Sequence, residues 1–174
     1  MIKKILLIGA TGQIGSELTL ALRKIYGNEN VIASGIENPC EKLLESGIYE
    51  HVDILDAKRI AEVVKKHNID AIISMAAILS AVGEQKPMLA WNVNMNGLIN
   101  VLEVARELKL KRVLNPSSIA AFGPSTPKDN TPQETILKPT SMYGITKVAG
   151  ELLADYYVQK YGLDVRGLRY PGII

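Results

Sequence analysis

Hydrophobic positions along the chain fall into two alternating patterns. Short runs of β-branched and other apolar residues at Lys4–Ile8, Asn30–Ser34, Tyr49–Val52, Ala71–Met75, Arg112–Asn115 and Asp164–Arg169 read as strands. Between them lie longer segments with apolar residues at helical spacing, Ile14–Tyr26, roughly Pro39–Ser46, Ala57–His67, Pro87–Lys109 and Ser141–Tyr161. Strand and helix in alternation is the pattern of parallel strands joined by crossover helices, because parallel neighbours cannot be linked by a tight turn. Right-handed crossovers then predict an α/β doubly wound parallel sheet with strand order 3-2-1-4-5-6. The 174 residues suit one domain, read as residues 1–174, with no room for a second full one. Four of the eight prolines, at 124, 127, 132 and 139, fall between Gly123 and Pro139. That stretch reads as a long loop, not a linker, since a helix and a strand of the same sheet follow it.

The helix expected at Pro87–Lys109 is more apolar than packing one face on a sheet requires, with Met88, Leu89, Trp91, Val93, Met95, Leu98, Ile99 and Val101 in succession. Two coverings are open: a homodimer that pairs residues 87–109 and 141–161 with their copies, or the long loop or a further segment packed there. Composition narrows the partners. Lys plus Arg is 20 and Asp plus Glu is 18, a net charge of +2 without long single-sign runs, so no nucleic-acid surface is expected. No apolar run approaches the ~18 to 20 residues of a membrane span. The apolar run after Lys3-Lys4 flows into a glycine loop and reads as a strand, not a signal peptide. Cys40 is the only cysteine, which rules out an internal disulfide and a structural zinc cluster. The expectation is a cytoplasmic protein with no metal, nucleic-acid or membrane partner.

Immediately after the first predicted strand comes Gly9-Ala10-Thr11-Gly12-Gln13-Ile14-Gly15, opening a helix. The first glycine permits the tight turn, the second lets backbone approach a pyrophosphate, and the third lets helix and strand pack closely. The helix N-terminus offers amides and partial positive charge to the phosphates. At the first strand-to-helix junction this predicts a dinucleotide-binding, or Rossmann, fold. A ribose-binding carboxylate is expected at the end of the second strand, where Ala33-Ser34-Gly35-Ile36-Glu37 places a glycine instead, leaving Glu37 either to reach the ribose in its stead or to be a solvated loop charge. Neither Arg nor Lys occurs between Val31 and Pro39 to favour a 2′-phosphate, so NAD is expected over NADP. Asp53-Ile54 follows the third strand, where adenine would lie. Ala76-Ala77 after the fourth are small enough for close cofactor approach, and Asn94 lies inside the crowded helix, as a kink-holding or plain helix polar group.

Tyr143 and Lys147 lie four apart in a predicted helix and therefore share one face. Bringing a phenol from ~10 to ~7 requires roughly 4 kcal/mol. One ammonium at about 4 Å and an effective dielectric near 20 supplies on the order of 4 kcal/mol. The pair can therefore make a tyrosine base, with Ser117-Ser118 upstream as polar company.

With the glycine loop, Asp53-Ile54, Ser117-Ser118 and Tyr143/Lys147 in this order, the chain resembles the extended short-chain dehydrogenases/reductases of the NAD-dependent epimerase/dehydratase family. Three stretches, Ile78–Glu84, Pro116–Gly123 and Leu168–Ile174, look like the L-threonine 3-dehydrogenases among them. The resemblance implies that Tyr143, as phenolate, takes the proton of the substrate β-hydroxyl while Lys147 lowers its pKa and bonds the nicotinamide ribose. Ser118 would hold that hydroxyl, Ser117 would be a second contact, and Ser80 would touch L-threonine. Hydride transfer to NAD would give 2-amino-3-ketobutyrate, with backbone from Tyr170 through Pro171 to Ile173 at the nicotinamide amide. The family continues past the equivalent of Ile174 into a smaller substrate domain that closes over the site, so this chain is expected to be the cofactor-binding portion and to turn over poorly alone. Two other readings stay open: a nucleotide-sugar epimerase or dehydratase, and a non-catalytic NAD-binding module, to which Gly35 and the absent lid would be suited.

Overall fold

The computed structural model describes residues 1–172. Its strands are β1 (Ile5–Ile8), β2 (Val31–Gly35), β3 (Tyr49–His51), β4 (Ala71–Ser74), β5 (Arg112–Leu114), β6 (Ser117–Ser118), β7 (Val165–Arg166) and β8 (Arg169–Tyr170). Its helices are α1 (Gln13–Tyr26), α2 (Glu41–Glu45), α3 (Ala57–His67), α4 (Ser80–Gln85), α5 (Pro87–Trp91), α6 (Gly97–Glu107) and α7 (Met142–Tyr161). Six strands form one parallel sheet in the order β3-β2-β1-β4-β5-β7, the predicted doubly wound order with β7 as the sixth strand. β1, β2 and β4 are buried throughout, as strands covered on both faces must be. On one face Leu6, Ile8, Ile32, Ile72 and Val113 pack with Ile60 and Val63 of α3, Leu98, Val101 and Leu102 of α6, and Tyr157 of α7. On the other, Ile5, Leu7, Ala33 and Ile73 meet Leu18 and Leu22 of α1.

Four elements differ from expectation. The predicted strand Asp164–Arg169 divides in two: β7 pairs with β5, and after a break β8 pairs in parallel with β6 in the same register, Ser117 opposite Arg169 and Ser118 opposite Tyr170. The break falls at Gly167, where a Cβ would stand 2.5 Å from the Asn115 carbonyl oxygen. The predicted helix Pro87–Lys109 is interrupted by a π-helical turn at Asn92–Asn96, between α5 and α6. The helix expected at Pro39–Ser46 shrinks to Glu41–Glu45, and α4, too short for its period to show in sequence, appears at Ser80–Gln85. No helix among the described residues is long and apolar enough to cross a membrane.

Candidate active site

The glycine loop turns as its residue types require. Gly9 has φ +92°, and a Cβ there would lie 2.6 Å from the Ala76 amide nitrogen. A Cβ on Gly15 would lie 2.1 Å from the Gly9 carbonyl oxygen, so α1 can approach β1 only through glycine. Around Gly12, by contrast, a Cβ would meet only that same oxygen at 3.6 Å, which leaves the outer side of the loop open. No acidic residue stands in the first turn of α1, so nothing there opposes an anion. Thr11, Gln13 and Ile14 complete the turn. These features fit a pyrophosphate.

Beneath the loop, Ile54, Ala76, Ala77, Asn94 and Lys147 line one small cavity together with Ser74, Leu98, Asn115, Thr146 and Gly150. The structure thus brings these sequence-predicted residues together. A wider groove of about 940 Å³ lies at the opposite, N-terminal edge of the strands, among Lys3, Lys4, Asp70 and Lys111, and contains none of them. Asn94 sits in the π-helical turn. Its side-chain oxygen accepts from the Ile78 amide at 2.8 Å, and its nitrogen donates to the Ile78 carbonyl at 3.0 Å and to Thr146 Oγ1 at 3.1 Å. The widened turn and these bonds make Asn94 a clamp on the strand-end loop. Asp53 is exposed, and its Oδ1 accepts from the Leu55 amide at 2.9 Å.

The helix carrying Tyr143 and Lys147 is held at its N-terminus from two sides. Ser141 caps it by accepting from the Gly144 amide at 3.0 Å, and Glu84 of α4 accepts from the Met142 amide at 2.6 Å. Gly144 has no room for a side chain, since a Cβ would stand 2.2 Å from the Ala120 carbonyl oxygen. That contact seats α7 against the 3₁₀ turn Ile119–Ala121, which Ser118 caps by accepting from the Ala120 amide at 3.1 Å. Ser118 is thereby brought within hydrogen-bonding reach of the half-buried Tyr143 hydroxyl.

The electrostatics differ from expectation. Burial pushes the Tyr143 phenol above its ordinary value, with only the Ser118 hydrogen bond opposing. The Lys147 ammonium lies 5.3 Å from the centre of the Tyr143 ring and donates to the Pro116 carbonyl at 2.8 Å. Burial itself lowers Lys147 from 10.5 to about 8, with Glu151 pulling the other way. The Lys147 ammonium is turned to the Pro116 carbonyl, and burial outweighs what lowers the Tyr143 phenol.

Ser117 is also corrected. It is buried, and its hydroxyl donates to Glu151 Oε1, facing the protein rather than a substrate. Glu151 in turn pairs with Arg169 of β8 at 2.7 Å, and Arg169 Nη1 donates to the Gln133 carbonyl at 3.1 Å. Sequence reasoning missed both charged residues, although Glu151 continues the Tyr143, Lys147 face at the next fourfold step. The pair ties α7, β6, β8 and the proline-rich loop into one block. Ser80 is exposed at the start of α4; Tyr170 pairs with Ser118 in β8, and Pro171 follows it. Ile173 lies outside the described residues.

The pattern of the NAD dependent epimerase/dehydratase family matches residues 5–174. The chain belongs to that family. It is 54% identical over 173 residues to an uncharacterized epimerase/dehydratase of Staphylococcus saprophyticus, covering 99% of this chain and 54% of that protein. Among solved structures it is similar to L-threonine dehydrogenase from Clostridium difficile, at TM-score 0.94 and 57% identity over 98% of this chain and 54% of that one. The holo form of a GalE-like L-threonine dehydrogenase from Cupriavidus necator gives TM-score 0.93 and 50% identity, with 97% and 55% of the two chains covered. The chain therefore spans about half the length of the relatives it matches. NAD is the cofactor, and the glycine loop and the small residues behind it are of the kind this family requires.

Proposed function

We propose that this chain is the NAD-binding portion, residues 1–174, of a cytoplasmic L-threonine 3-dehydrogenase whose substrate domain lies in the rest of the longer protein. The observation that carries the reading is the likeness to solved L-threonine dehydrogenases over nearly the whole chain, at 57% and 50% identity in the two cited. Bound NAD supplies the hydride acceptor for the threonine β-carbon. Tyr143 takes the β-hydroxyl proton as that carbon becomes a ketone, giving 2-amino-3-ketobutyrate. Ser118, beside the Tyr143 hydroxyl, would hold the substrate hydroxyl in line, and Lys147 would face the nicotinamide ribose. Exposed Ser80 contacts the amino acid, and backbone at Tyr170 and Pro171 contacts the nicotinamide amide. Gly9, Gly12 and Gly15, with Thr11, Gln13 and Ile14, cradle the pyrophosphate. Asp53 and Ile54 border the adenine, Ala76 and Ala77 give the cofactor close approach, and Asn94 supports it through its hold on Ile78.

A second reading, a nucleotide-sugar epimerase or dehydratase, is favoured by the family itself and by the staphylococcal relative. Incubating the full-length protein with NAD and either threonine or UDP-glucose, following NADH formation with the first and the sugar product with the second, separates them. Threonine-dependent NADH formation supports the dehydrogenase; sugar turnover without it overturns that assignment.

We also propose a homodimer through α5, α6 and α7. Met88, Leu89, Trp91 and Ile99 on one side and Ile145, Leu152 and Tyr156 on the other are exposed apolar residues of these helices.

A further inference from the structure

β2 ends at Gly35, the position from which a dinucleotide site of this kind ordinarily projects a carboxylate to the adenosine ribose. The structure fills that space with two hydroxyls from other elements. A Cβ built on Gly35 would stand 3.0 Å from Tyr49 Oη and 3.3 Å from Thr11 Oγ1. A side chain at position 35 would therefore press on both hydroxyls. Tyr49 comes from the start of β3 and packs against the core cluster of Ile5, Leu7, Ala10, Ala33 and Ile73, while Thr11 belongs to the glycine loop. The phenol is fixed on both ends. Its hydroxyl donates to the Glu37 carbonyl at 2.7 Å, and the backbone just before it is held by buried Arg23, whose Nη2 donates to the Ile48 carbonyl at 2.6 Å. Arg23 also donates to the Val31 carbonyl at 3.2 Å and the Leu43 carbonyl at 2.7 Å, so β2, α2 and β3 share one anchor.

We propose that Tyr49, with Thr11 beside it, recognises the adenosine ribose of NAD in place of the missing carboxylate. A phenolic oxygen that donates one hydrogen bond still accepts another, so Tyr49 can keep Glu37 and take a ribose hydroxyl. The inference rests on the NAD reading of the glycine loop, and the test separates the two. Calorimetric titrations of the full-length protein and of Tyr49→Phe use NAD, ADP and 2′,3′-dideoxy-ADP. Removing one neutral hydrogen bond should weaken NAD and ADP by about three- to tenfold and leave dideoxy-ADP unchanged. Tyr49→Phe that binds ADP like the wild type, or that loses ADP and dideoxy-ADP equally, overturns the role of Tyr49. Wild-type protein that binds neither NAD nor ADP overturns the cofactor reading beneath it.

Discussion

The Lys147 ammonium lies 5.3 Å from the centre of the Tyr143 ring and gives its hydrogen bond to the Pro116 carbonyl, not to the phenol. Tyr143 is held above its ordinary pKa by burial, against a single hydrogen bond from Ser118. The phenol thus keeps its proton in the free protein. Phenolate needs further positive charge, which the oxidised nicotinamide brings.

This fixes the direction of a spectroscopic change. In the free protein Tyr143 should ionise above the ordinary phenol value of ~10, and saturating NAD should lower that midpoint. The tyrosinate absorbance of wild type minus Tyr143→Phe, titrated with and without NAD, reads it. A midpoint that does not move with NAD contradicts the proposal.

Lys147 makes stability depend on pH with a definite sign. Below about pH 8 the lysine is protonated in both folded and unfolded chains, and the folded state bears the full cost of a buried ammonium. Between about 8 and 10.5 only the unfolded chain holds the proton, so stability rises with pH across that window. At about 1.4 kcal/mol per unit the gain reaches roughly 3 kcal/mol, and Lys147→Met should remove the slope. Urea unfolding at a series of pH values checks both.

Gly144 is the point where α7 rests on the Ser118 turn. Gly144→Ala would bring a Cβ 2.2 Å from the Ala120 carbonyl oxygen and push Ser118 and Tyr143 apart. The expected result in the full-length enzyme is a fall in kcat of about tenfold or more, with the NAD dissociation constant within about threefold of wild type. Loss of NAD affinity without loss of kcat would contradict it.

Leu152 is 65% exposed on the apolar face of α7. Sedimentation of the full-length protein should show a dimer, and Leu152→Glu should shift it to monomer by placing a charge in the buried interface. An unchanged dimer in the variant excludes this face.

Much of this architecture is legible from the sequence, because its signals are local. Ile5–Ile8 followed by Gly9, Gly12 and Gly15 announces strand, turn and helix within one short stretch, and the alternation of runs gives the sheet order. What stays hidden depends on contacts distant in sequence. The residues of Asp164–Arg169 suit one unbroken strand, and nothing in them shows that the Asn115 carbonyl leaves no room for a side chain at Gly167, where the strand divides. Apolar spacing over Pro87–Lys109 cannot show the extra residue of a π turn, which Asn94 and Thr146 hold across 52 residues of sequence. Ser117 looks like a site residue until its hydroxyl is found on Glu151. Tyr49 reads as an ordinary aromatic of a short strand, and only the geometry at Gly35 shows where its hydroxyl lies.

On the proposed function, Tyr143 is the base for threonine oxidation by NAD. Threonine-dependent NADH formation by full-length wild type and Tyr143→Phe, measured beside NAD binding, tests it most directly. The account predicts a loss of roughly 10²- to 10⁴-fold in rate with NAD affinity preserved. A Tyr143→Phe enzyme within a few-fold of the wild-type rate would contradict it.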